Sequence, residues 1–222
     1  MTLNLSVVIP ALNAAATLAG AVCALGGVAE VIVVDGGSKD ATREIAANAG
    51  ALVLKTAAGR GRQIAAGVER ATCNWVLIMH ADTTLQRGWQ AAAAQHMATD
   101  PDRAGYFRFA LDSADPRARR LERIVAWRCR VLGLPYGDQG LLVSRALLGS
   151  AGGVRPIPLM EDVDLVRRLG RARLTALPAA ALTSASRWER DGWHARSVRN
   201  VLCLSLWLAG VSPATIARIY GR

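Results

Sequence analysis

The chain has 222 residues, 52% of them hydrophobic, and a formal net charge of +10. That length allows one large domain, or two small lobes sharing a sheet, with a core that needs no disulfides. No stretch reaches the roughly 18 apolar residues of a membrane-spanning helix; the longest candidate, Val201 to Val211, is too short.

Leu5 to Pro10 reads as a first strand and Ala14 to Leu25 as an alanine-rich helix ended by Gly26-Gly27. Val31 to Val34 is a second strand. Asp40 to Ala49 is a helix with Asp40 at its start and Gly50 after its end. Ala51 to Leu54 is a third strand, Gly61 to Ala71 a helix, Trp75 to Met79 a fourth strand and Trp89 to Met97 a helix. Short aliphatic runs alternating with helices predict a parallel sheet in a three-layer α/β arrangement. After about residue 100 the pattern changes. Gly105 to Leu111 alternates as a strand does, and Arg117 to Leu132 has an apolar face flanked by arginines. Gly137 to Ser144 reads as a loop and strand, Asp162 to Leu169 as a short helix, His194 to Leu208 as a helix, and Pro213 to Tyr220 as a last turn or two.

Lys39 and Lys55 are the only lysines, so nearly all the positive charge is arginine. Arginine binds phosphate bidentately, and the charge suits an anionic partner such as a nucleotide diphosphate or a lipid phosphate. The same arginine and alanine content also fits a GC-rich genome. Dispersed arginines and 5% aromatic residues argue against nucleic acid as the partner. Cys23, Cys73, Cys129 and Cys203 lie far apart with no C-x-x-C spacing, which predicts reduced core thiols and no zinc site. No basic segment precedes Leu3, so the expectation is no signal peptide and a cytoplasmic protein.

Ligands of open α/β sheets bind just past the carboxyl ends of the strands. Asp35 ends the second strand and is followed by Gly36-Gly37, which leave room for a ligand; a turn-forming aspartate is the alternative reading. Asp82 follows the fourth strand. One carboxylate beside a diphosphate suffices for magnesium or manganese, because these ions keep water and take phosphate oxygens as ligands. His80 points the same way if strand geometry persists, towards a ribose, a phosphate or the metal. Arg60-Gly61-Arg62 opens a helix and suits phosphate, although a solvated loop has the same composition. Glu161-Asp162 opens another helix, where carboxylates either favour the helix dipole or supply a general base. Arg187-Trp188 offers an arginine for a leaving diphosphate and an indole for a sugar face, or else an amphipathic edge. Neither a Walker loop nor the G-x-G-x-x-G of dehydrogenases is present.

Taken together, these residues resemble the family 2 glycosyltransferases of GT-A fold. Leu5 to Asn13, including Pro10 and Asn13, is similar to that family's opening strand and nucleobase loop. Val33 to Asp40 is similar to its nucleotide-binding motif, with Asp35 and Gly36. His80-Ala81-Asp82 stands at its metal-binding D-x-D, Glu161-Asp162 at its E-D base motif, and Ser184 to Trp188 at its Q-x-x-R-W. The resemblance implies a mainly parallel GT-A sheet with a C-terminal helical segment. It implies transfer of a sugar from a nucleotide-diphosphate donor, a UDP-sugar or GDP-sugar, to an acceptor hydroxyl with inversion. Pro10, Asn13, Asp35, Gly36, Arg60, Arg62, His80 and Ala81 would bind the nucleotide, and Asp82 would hold Mg2+ or Mn2+. Asp162, or its neighbour Glu161, would be the base. Tyr136, Asp138, Gln139, Arg187 and Trp188 would face acceptor and diphosphate. Ser184 replaces the glutamine of processive members, so transfer of a single sugar is expected.

The implied organisation is one domain over 1–222, with a nucleotide-binding half (1–100), an acceptor half (101–190) and C-terminal helices (191–222). Those helices are candidates for peripheral contact with the inner face of a membrane, for packing on the core, or for a dimer contact. The competing enzyme class is a nucleotidyltransferase acting on a sugar phosphate; it would carry a glycine-rich loop where Ala11-Leu12-Asn13-Ala14 stands. A non-catalytic nucleotide-binding relative is the third reading.

Overall fold

The computed structural model describes residues 2–220; Met1, Gly221 and Arg222, which the expected domain limits include, lie outside the described residues. The first strand, β1 (Leu3–Ala11), is buried on both faces, as its unbroken aliphatic run requires. Leu5, Val7 and Ile9 join one core and Val8 the other, so a single strand seeds both.

The elements follow in the order α1 (Ala15–Cys23), β2 (Val28–Asp35), α2 (Thr42–Asn48), β3 (Leu52–Lys55), α3 (Arg60–Arg70), β4 (Trp75–Ile78), β5 (Thr83–Leu85) and α4 (Trp89–Thr99). Then come β6 (Ala104–Leu111), α5 (Pro116–Leu132), β7 (Leu141–Ser144), α6 (Arg145–Ser150), α7 (Glu161–Leu169), β8 (Leu174–Thr183), α8 (Ser186–Asp191), α9 (Trp193–Leu208) and α10 (Pro213–Tyr220). One sheet of eight strands runs through both halves in the order β3-β2-β1-β4-β7-β6-β8-β5. β1, β2, β3 and β4 are mutually parallel, β7 is antiparallel to β4 and β6, and β5 is antiparallel to β8. Since β8 is parallel to β6, all strands but β7 and β5 run the same way.

Leu18 and Val22 of α1, Ala46 of α2 and Trp89 of α4 cover one face of the sheet. Ile64 of α3, Leu147 of α6 and Val163 and Val166 of α7 cover the other, giving three layers. The approach of α3 is close: a methyl group at Gly67 would stand 2.4 Å from Val8 Cγ1. A separate apolar cluster joins α5, α8 and α9 through Val125, Cys129, Trp188 and Trp193.

Four elements went unread in the sequence. β5 and α6 are only 3 and 6 residues long, and α8 is also 6, below the reach of periodicity. β8 is rich in alanine and carries Pro178, both depleted in strands. It is accommodated by a shift in register: Phe107 pairs with Leu177 but Arg108 with Ala180, so Pro178 and Ala179 bulge out of the ladder. One expectation fails outright: Cys23 is exposed, while Cys73, Cys129 and Cys203 are buried and all four are free. Cys23 stands on the solvent side of the last turn of α1, whose inner side is spent on Ala21, Val22 and the following Leu25.

Candidate active site

Two loops leave the carboxyl ends of β1 and β2 and tie each other in place. Asn13, at φ +50°, accepts the Lys39 amide on its Oδ1 at 2.9 Å and donates its own amide to Ser38 Oγ at 2.9 Å. The Ala14 amide donates to Thr42 Oγ1 at 2.8 Å and the Ala15 amide to Asp40 Oδ2 at 3.1 Å. Asp35 is fully buried, and its carboxylate accepts the Gly37 and Ser38 amides, each at 3.1 Å. It therefore holds the turn itself, as the alternative reading of Asp35 had it. Arg43 approaches Asp35 only to 3.9 Å. Pro10 is buried within β1, opposite Val34. Beneath Gly36 lies buried Gln63, whose Nε2 donates to the carbonyls of Ala11 and Val34 at 2.8 and 2.7 Å; a Cβ at Gly36 would touch it at 3.0 Å.

The carboxyl end of β4 opens on a cleft of ≈ 830 Å³, open to solvent. Arg60, His80, Asp82, Tyr136, Asp138, Asp162, Arg187 and Trp188 line it. They come from five separate segments of the chain. β5 and β8 fix the Asp82 loop, since the Ser184 amide donates to the Asp82 carbonyl at 3.0 Å and Thr83 pairs with Thr183.

The three acids that open α7 have three different fates. Met160 takes the left-handed conformation, φ +67°, just before the helix. Glu161 then turns inward, 1% exposed, and accepts a hydrogen bond from Arg60 Nε. Asp162 turns to the cleft, where its Oδ2 accepts the Gly137 amide at 2.9 Å. Asp164 is held by Arg155 and Arg168, at 3.0 and 2.7 Å. Burial raises the pKa of Glu161 against the pull of Arg60. Burial also acts on Asp162, but Arg60, the Gly137 amide and His80 outweigh it and hold that carboxyl below its ordinary value. At neutral pH Asp162 is thus an ionised carboxylate at the cleft wall.

Arg60 connects these groups. Its NH2 lies 3.7 Å from Asp162 Oδ2 and its NH1 3.2 Å from His80 Nε2. Guanidinium only donates, so His80 Nε2 accepts and the ring proton sits on Nδ1. Burial, reinforced by Arg60, lowers the His80 pKa to about 4, so the ring is neutral at pH 7. Gly137 is needed here: a Cβ would stand 2.5 Å from His80 Nε2. Across the cleft, Arg187 NH2 lies 3.5 Å from Asp82 Oδ2, while Asp82 Oδ1 is buried with no partner. Asp138 Oδ1 is also buried and unpartnered, and burial, with Asp162 and Asp82 nearby, pushes Asp138 up to about 6 against the pull of Arg128.

The remaining expected residues sit elsewhere or do other work. Arg62 is exposed and Ala81 is buried; neither lines the cleft. Gln139 is 1% exposed and binds its own loop: its Nε2 donates to the Phe107 carbonyl at 3.1 Å, and its Oε1 accepts the Tyr136 amide at 3.2 Å. The Trp188 ring stacks on Trp193, centroids 6.0 Å apart, with the Arg196 guanidinium 5.2 Å from its centroid. Sequence reasoning missed Arg196, Asn200 and Tyr220, which bring the C-terminal helices to the cleft wall. The i, i+4 spacing of Arg196 and Asn200 on one helix face was the available signal.

Among the described residues, no three histidine, cysteine, aspartate or glutamate side chains converge closely enough to hold a metal ion by themselves. The orphaned carboxylate oxygen on Asp82 fits a hard divalent ion that a ligand's oxygens complete.

The fold has counterparts among solved structures. Glucosyl-3-phosphoglycerate synthase from Mycobacterium tuberculosis, in complex with Mn2+ and uridine-diphosphate-glucose, superposes with a TM-score of 0.56 at 21% identity, over 81% of this chain and 69% of that one. Residues 1–349 of TarS from S. aureus superpose with a TM-score of 0.66 at 15% identity, over 99% of this chain and 69% of that one. At such identities the likeness speaks for the fold. No curated protein matches the sequence. The family model described as glycosyl transferase family 2 matches residues 6–144, from the first strand through β7, and the chain belongs to that family.

Proposed function

We propose that the chain transfers a single sugar from a nucleotide-diphosphate sugar to an acceptor hydroxyl, with inversion, in a metal-assisted reaction at the cleft below β4. The observation that carries this reading is the convergence of Asp82, Asp138 and Asp162 with Arg60 and Arg187 on one cleft past the parallel strands. Asp162 is the base: it is ionised and faces the cleft, whereas Glu161 is buried against Arg60. It takes the proton of the acceptor hydroxyl as that oxygen bonds to the anomeric carbon and the bond to the diphosphate breaks. Arg60 and the Gly137 amide hold Asp162 in place. Arg187 stands ready for the departing diphosphate. Asp82 would hold Mg2+ or Mn2+, which when bound offsets the charge of that leaving group.

The loops around Asn13 and Asp35 form the nucleotide end, within residues 1–100. Residues 101–190, with Tyr136 and Asp138, form the acceptor end, and the C-terminal helices close its wall. The M. tuberculosis synthase was solved with a uridine-diphosphate sugar, which supports uridine as the first donor base to test, ahead of guanosine.

Calorimetric titration of UDP, GDP and CDP, with and without manganese, tests the proposal. Metal-dependent binding of one diphosphate is expected, with the metal dependence lost in Asp82→Asn. Binding of none would leave the fold standing and point to a non-catalytic relative.

A further inference from the structure

We propose that the outer face of α5 docks on an anionic lipid bilayer and that the protein works at a membrane surface through this helix. The helix is well formed by its own sequence. Pro116 opens it, the Asp115 carboxylate accepts the Arg117 amide at 2.8 Å, and Gly133 ends it at φ +62°. Its inner face is spent on the core through Ala118, Val125 and Cys129.

Residues 120, 123, 124, 127, 130 and 131 recur at helical spacing on the opposite side. Arg120, Arg123 and Arg130 are exposed and have no ion-pair or hydrogen-bond partner among the described residues. Between them stand Trp127 and Ile124, 55% and 53% exposed, and Val131. The helix has one acid, Glu122, and it is turned away, accepting the Leu111 amide at 2.7 Å and pairing with Arg119. The face is therefore positive and apolar at once, with no negative charge.

That combination selects its partner. A second copy of the same face would bring unpaired arginines against arginines, a repulsive arrangement. Nucleic acid would use the arginines but leave Ile124 and Val131 without a purpose. An anionic bilayer uses both: arginines meet lipid phosphates while tryptophan and aliphatic side chains enter the headgroup boundary. Among the described residues no helix is long and apolar enough to cross a membrane, so contact through α5 is peripheral.

An adjoining flank of α5 meets the cleft wall at Tyr136. Arg128 lies 3.4 Å from the centroid of the Tyr136 ring and donates to the Leu134 carbonyl at 2.9 Å. A bilayer against the outer face thus lies within about one helix diameter, ~10 Å, of the loop that carries Tyr136 and Asp138. Docking of this kind does not depend on which sugar or acceptor the cleft takes.

Co-sedimentation of the full chain with vesicles tests it, using phosphatidylcholine alone and phosphatidylcholine mixed with phosphatidylglycerol. Binding to the mixed vesicles only, weakening as salt rises, is expected. The triple variant R120E/R123E/R130E should lose affinity on the order of a hundredfold. Trp127→Ala removes an exposed side chain and leaves no cavity; it should weaken binding too, and it decides the matter if the triple variant fails to fold. Four results would overturn the proposal. They are full vesicle binding by folded α5 variants, equal binding to phosphatidylcholine alone, retention of an oligonucleotide without vesicle binding, and loss of binding only in V201E/L202E on the apolar outer side of α9.

Discussion

The loops past β2 and the cleft past β4 handle their carboxylates in opposite ways. At the nucleotide end, Asp35 and Asp40 are fully employed by backbone amides and hydroxyls of their own loops. At the transfer end, Asp82 and Asp138 each keep a buried oxygen without a partner, and Glu161 and Asp162 share one arginine. A buried carboxylate oxygen left unsatisfied costs stability, and such groups concentrate where a ligand or a reaction uses them. On the proposed function, the contrast separates a preformed nucleotide cradle from a charged site that substrate completes.

Substitutions at the two ends should therefore fail differently. The largest effect belongs to Asp162→Asn, which should lower the transfer rate on the order of a thousandfold while leaving diphosphate affinity unchanged by calorimetry. An active variant would remove Asp162 as base. Next comes Arg60→Met, which strands Glu161 as a buried, unpaired charge. Its cost in urea unfolding should be about 3 kcal/mol, and an unchanged midpoint would show that Glu161 does not depend on Arg60.

The third effect is a pH dependence of the metal-free protein. The folded pKa of Asp138 is raised to about 6, so its contribution to stability falls as pH rises from about 4 to 6. That of His80 is lowered to about 4, so its contribution rises between about 4 and 6.5. In the wild type the two oppose each other. Asp138→Asn should unmask the histidine, giving a stability that climbs by about 2 kcal/mol more than the wild type over that range. Parallel pH profiles for the two proteins would refute this.

The smallest effect sharpens the other side of the comparison. Asp35→Asn keeps the shape of the turn but weakens its amide contacts, costing about 1 kcal/mol. Donor affinity should fall with it, and the rate at saturating donor should hold. A large loss of that rate with normal affinity would place Asp35 at the wrong end of the site.

The main βα alternation of the first hundred residues, all but the three-residue β5, is legible in the chain itself, because each longer strand and helix there is written in neighbouring residues. Val31 to Val34 running into Asp35-Gly36-Gly37, and Trp75 to Met79 running into His80-Ala81-Asp82, announce a strand and the loop past its carboxyl end. Tertiary structure alone decided which acid faces the cleft. Glu161 and Asp162 are adjacent and chemically alike, and only the position of Arg60, 101 residues from Glu161, turns one inward and leaves the other at the wall. It also decided that Gln139 braces its own loop, that Arg196 and Asn200 reach the cleft, and that Pro178 fits a strand by bulging from it. Each of these depends on contacts between distant segments, and a pattern confined to neighbouring residues carries no record of them.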